Sequence, residues 1–97
     1  MEITDVRIRK VNTAGKMRAV VSIVFDDLFV VHDIKIIQGD RGLFIAMPSR
    51  RSNDGDYRDI AHPISAQMRE HMQNRILERY EAALFQEETA AVLKTEV

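Results

Sequence analysis

Four stretches of strand-patterned sequence follow one another between Ile3 and Met47, separated by turns of only a few residues. That spacing constrains the fold more than any other feature, because parallel pairing needs a crossover of a dozen or more residues. From Ile3 to Asn12, Val6 and Ile8 alternate with Asp5, Arg7 and Arg9, the period of a half-buried strand. A turn at 13–16 contains Gly15. The odd positions Met17, Ala19, Val21, Ile23 and Phe25 are then all apolar. Asp26-Asp27 marks the next turn, and Leu28 to Gln38 reads as a third strand. Gly39 to Gly42 turns the chain again, and Leu43 to Met47 returns as a fourth strand ended by Pro48. The pattern predicts an antiparallel β-meander.

The third strand carries Phe29, Val30, Val31, Ile34, Ile36 and Ile37, apolar side chains that strict alternation sends to both faces. Such a strand calls for two covers, usually a helix on one face and another sheet or a subunit on the other. A homodimer contacting through Phe29, Val31 and Ile37 is therefore expected. Size points the same way, since a domain of 97 residues buries only roughly 60–70% of its unfolded surface.

Beyond Met47 the chain changes character. Ser49 to Asp59 holds Arg50, Arg51 and Arg58 among Ser52, Asn53, Asp54, Gly55, Asp56 and Tyr57, without an aliphatic residue. Asn53-Asp54-Gly55 is a turn signal, so this segment reads as an exposed loop or a small polar hairpin. A helix is expected from about Ser65 to about Leu84. Ser65 is its N-cap, and Ile64, Met68, Met72, Ile76 and Tyr80 form an apolar stripe at intervals of four. One α+β domain over 1–85 results, followed by a frayed or disordered acidic tail at 86–97.

Charge separates these two parts. Over 1–80, thirteen Lys and Arg against eleven Asp and Glu leave +2, whereas Lys94 against Glu81, Glu87, Glu88 and Glu96 leaves −3 over 81–97. A mildly basic body falls short of the strong excess that announces a nucleic-acid binder, so any such contact rests on a local cluster.

Enzyme chemistry finds little support. His32 and Asp33 are strand neighbours that point to opposite faces, so they do not pair with each other. The three histidines are scattered, cysteine is absent, and Asn53-Asp54-Gly55-Asp56 lacks the spaced ligands of a calcium loop. Gly39 and Gly42 lie between strands, away from any helix start that could cradle phosphate. No catalytic residue, metal site or cofactor is expected. No signal peptide and no apolar run near the ~20 residues of a membrane span is present.

What remains is the arginine cluster. Arg50, Arg51 and Arg58, interleaved with small polar residues, suit phosphate oxygens, because a guanidinium presents a planar fork of donors. The helix opening at Ser65, Gln67 and Arg69 follows closely and favours anions. The competing account pairs these arginines with Asp54, Asp56 and Asp59 in a solvated loop. A second basic group, Arg7, Arg9, Lys10, Lys16 and Arg18, lies on the first hairpin and fits a solvated sheet surface.

Several segments resemble a known family. Met1 to Asn12, Phe29-Val-Val-His-Asp-Ile, Gly42-Leu-Phe-Ile-Ala-Met-Pro-Ser-Arg-Arg and Tyr57-Arg-Asp-Ile-Ala-His-Pro-Ile are similar to SpoVG, the stage V sporulation protein G family, over residues 1–82. The resemblance implies a cytoplasmic bacterial regulator that binds DNA or RNA and is linked to septation and sporulation. It also implies an antiparallel sheet with a C-terminal helix, assembled as a dimer. Nucleic-acid contact is then expected from Arg50, Arg51, Ser65, Ala66, Gln67, Met68 and Arg69. A different account makes the chain a protein-interaction module acting on septation factors, docking through a sheet edge or the acidic tail.

Overall fold

The computed structural model describes residues 1–12 and 14–95, with side chains followed as far as Phe85. Strands β1 (Ile3–Val11), β2 (Met17–Phe25), β3 (Phe29–Gly39) and β4 (Gly42–Ala46) form one antiparallel sheet in sequence order. A separate two-stranded ribbon follows, β5 (Ser49–Arg51) with β6 (Tyr57–Asp59), and then helix α1 (Ala66–Thr95). The α+β meander read from the sequence is the fold observed. Of the turn expected at 13–16, Thr13 lies outside the described residues.

Helix α1 covers one face of the sheet. Val21, Ile23, Ile34, Ile36, Ile45 and Ile76 are completely enclosed between them. Each such side chain contributes roughly 1.5–3 kcal/mol of burial. Met72, Ile76 and Tyr80 are the buried helical positions, with Met68, Leu77 and Leu84 partly buried beside them. Ile64, counted first in that stripe, is instead 95% exposed. It precedes the cap at Ser65, so helical periodicity does not set its direction. The helical backbone also continues to Thr95, beyond the expected end near Leu84. The side chains at 86–97, where the acidic tail was expected, lie outside the described residues.

The third strand differs from its sequence reading in an instructive way. Val21 pairs with Ile34 and Ile23 pairs with Val31, so His32 and Asp33 together oppose Ser22. Asp33 takes φ of 63°, and this bulge shifts the side-chain phase by one residue. Val31, Ile34 and Ile36 face the helix side, as their partners Ile23, Val21 and Ala19 do, and Phe29, opposite Phe25, lies on that side but stays largely exposed. Val30 and Ile37 are left on the outer face. The apparent two-sidedness of the strand is thus mostly a phase change, and its argument for a second cover weakens. On the outer face the Ser22 hydroxyl and His32 Nδ1 are 2.7 Å apart.

β4 is an edge strand, and α1 closes its middle. Gln73 Oε1 accepts the Ile45 N–H at 3.2 Å, and Arg69 Nη2 donates to the Ile45 carbonyl at 3.0 Å. Two side chains thereby stand in for the missing neighbouring strand. Farther along, Arg75 and Arg79 lie beside Thr4 and Asp5 of β1, so the helix crosses the whole sheet.

Candidate nucleic-acid interface

Pro48 lies two residues beyond the end of β4, and its carbonyl accepts the Ile60 N–H at 2.7 Å, closing the base of the β5–β6 ribbon. At the tip, Ser52 N–H donates to Asp56 O at 2.7 Å and Gly55 N–H to Ser52 O at 3.0 Å. Gly55 has φ of +89°, a conformation that costs glycine little. The Ser52 hydroxyl reaches both the Asp54 carboxylate and the Asp56 carbonyl, donating to one at a time. The Asp54 carboxyl is held below the usual carboxylate range, first by that hydroxyl and then by the Asp56 N–H. Of the two forms expected for this segment, the hairpin is the one observed.

Register decides what the ribbon presents. Arg50 stands directly opposite Arg58, Arg51 opposite Tyr57, and Ser49 opposite Asp59. All six residues are exposed. Opposed residues of an antiparallel pair share a face, so one face carries two arginines and the other an arginine beside a tyrosine. Of the carboxylate pairings weighed from the sequence, Arg58 with Asp54 forms, at 3.7 Å and in solvent. Among the described residues Arg50 and Arg51 have no ion pair. A shallow groove runs past Arg50, Arg51, Ser52, Asn53, Arg58, Asp59 and Ile60, so one carboxylate shares it with the three arginines.

The helix opening is occupied by structural tasks. The Ser65 hydroxyl accepts the Met68 N–H at 3.0 Å as the N-cap, and Arg69 reaches back to Ile45. Ala66 and Gln67 are exposed, whereas Met68 is half-buried. Residues 60–64 separate this opening from the ribbon, with Ile60 and Ile64 both exposed.

The three residues expected at a subunit contact are divided. Phe29 and Val31 line an apolar groove with Phe25, Met47, Met68 and Met72, while Ile37 lies on the outer face opposite Phe44. Of the second basic group, Arg7 is engaged by Asp5 at 2.9 Å, and this contact lowers the Asp5 pKa. Sequence reasoning placed Tyr57 among the arginines but gave it no role of its own, which comes from its register with Arg51. It also passed over Arg75 and Arg79, although their spacing of four was a signal that both sit on one helix face. Among the described residues no cluster of His, Asp and Glu could hold a metal ion, and no helix is long and apolar enough to cross a membrane.

The family model described as SpoVG matches residues 1–82, which span the sheet, the ribbon and the first half of α1. The chain belongs to the SpoVG family. A SpoVG relative from Agathobacter rectalis is 67% identical over 84 residues, covering 87% of this chain and 97% of that protein. One from Lachnospira eligens is 66% identical over 88 residues, covering 91% and 100%. A third, from Clostridioides difficile, is 59% identical over 91 residues, covering 94% and 99%. The names of all three carry the words septation protein SpoVG.

Proposed function

We propose that this SpoVG-family chain is a non-enzymatic regulator in the bacterial cytoplasm that binds DNA or RNA through the β5–β6 ribbon and acts on septation and sporulation. The Arg50–Arg58 pairing carries this reading. Like charges directly opposite each other destabilise a strand pair, and among the described residues neither Arg50 nor Arg51 has an ion pair. A polyanion lying along the ribbon would supply the missing charge, with guanidinium forks on its phosphates. The septation role rests on the names of the relatives. The chain acts as a homodimer in this reading, and the groove containing Phe29 and Val31 is the apolar surface a second subunit would cover.

The test is a titration of duplex DNA and single-stranded RNA at two salt concentrations, comparing wild type with the Arg50→Ala, Arg51→Ala variant. Salt-sensitive binding is expected, with the variant's slope reduced by about one for each phosphate that its side chains no longer neutralise. Unchanged affinity in the variant removes the ribbon from the function. Sedimentation showing only monomer at micromolar concentration removes the dimer.

A further inference from the structure

The ribbon presents a second chemistry beside its positive charge. Tyr57 is 72% exposed, and its hydroxyl makes no hydrogen bond among the described residues. A tyrosine buried for stability would have its ring packed and its hydroxyl satisfied, and here neither holds. Its cross-strand partner is Arg51, so ring and guanidinium project from the same face of a two-stranded ribbon. Directly opposed Cβ atoms lie roughly 4.5–5.5 Å apart, so one nucleotide could meet both side chains.

Resting on the nucleic-acid reading above, we infer that Tyr57 is a stacking platform for an unpaired base and that the ribbon takes single-stranded nucleic acid in preference to duplex. The base lies on the Tyr57 ring while Arg51 meets the phosphate of that nucleotide. Arg50 and Arg58, on the opposite face, take phosphates as the strand passes around the ribbon. A duplex keeps its bases stacked on one another and offers Tyr57 no base face unless one is extruded, at a cost of a few kcal/mol. Every base has a face to stack, so this contact ranks strands by pairing state and not by sequence.

The composition makes the inference directly measurable. The chain has two tyrosines and no tryptophan, and Tyr80 is 4% exposed in the core. Quenching of tyrosine emission by a bound base therefore reports on Tyr57. The full chain is titrated with oligo(dT), oligo(U) and the oligo(dA)·oligo(dT) duplex, each of about 12 nucleotides, within the range that single-strand sites cover. Both single strands are expected to quench emission and to bind more tightly than the duplex. Tyr57→Ala is expected to weaken single-strand binding about tenfold while leaving the salt slope unchanged, because no charge is removed. Tyr57→Leu, which keeps apolar bulk without a ring, is expected to weaken binding equally. Tyr57→Phe is expected to retain the affinity and lose the quenching.

Wild-type affinity in both Tyr57→Ala and Tyr57→Leu would overturn the inference, and so would a preference for the duplex. If those variants bind normally while Arg50→Ala, Arg51→Ala does not, stacking falls and the nucleic-acid reading stands. Absence of wild-type binding to all three probes would overturn both together.

Discussion

The guanidinium of Arg69 donates to the main-chain carbonyl of Ile45 at 3.0 Å, fastening the first turn of the helix to the edge of the sheet. Gln73, one turn later, accepts the N–H of the same residue. Arg69→Ala should therefore act mainly on stability. Removing one such bond costs about 1 kcal/mol, or a fall in Tm of about 4–8 °C for a domain of this size. Thermal unfolding followed by circular dichroism measures it. A reduced salt slope for nucleic-acid binding with unchanged Tm would assign Arg69 to phosphate instead.

The Arg50–Arg58 opposition predicts a trade between local stability and binding. Arg50→Gln removes the repulsion and leaves the Arg58–Asp54 contact intact. Ribbon stability should rise by a few tenths of a kcal/mol, slowing amide exchange at Ser52 and Ile60 by about twofold. Nucleic-acid affinity should fall in the same variant. Faster exchange at these amides would contradict the account.

Asp33 holds a backbone conformation that favours glycine. Asp33→Gly should leave stability nearly unchanged, whereas Asp33→Val should cost about 1–2 kcal/mol. The valine variant should also disturb the register between Ser22 and His32. Denaturant midpoints at constant m-value separate the two outcomes.

The Asp54 carboxyl should titrate below the ordinary value of 3.8, as read by carboxyl chemical shifts. Because its folded pKa is depressed, its contribution to the hairpin is present above the unfolded value and is lost as pH falls through the folded one. Ser52→Ala, which removes the largest cause of the shift, should move the titration back toward 3.8. No movement would mean that the Asp56 N–H dominates.

Residue order alone determined the meander, the cap at Ser65 and the buried run Met72, Ile76 and Tyr80. These follow from short-range physics: turns too short for parallel pairing, a hydroxyl placed to accept a first-turn N–H, and apolar side chains repeating with the helix. The arginine cluster was equally legible as composition. Its arrangement was not, because the partners of Arg50 and Arg51 depend on the register of a ribbon whose alternatives differ by one residue. The Asp33 bulge was hidden for a related reason. A single inserted residue reverses every side chain after it, so Phe29 to Ile37 read as two-sided when most of its apolar residues share one face. Arg69 and Gln73 show the remaining limit. Nothing in their spacing marks them as partners of Ile45. Only the docking of the helix against an open strand edge created two polar groups for them to satisfy.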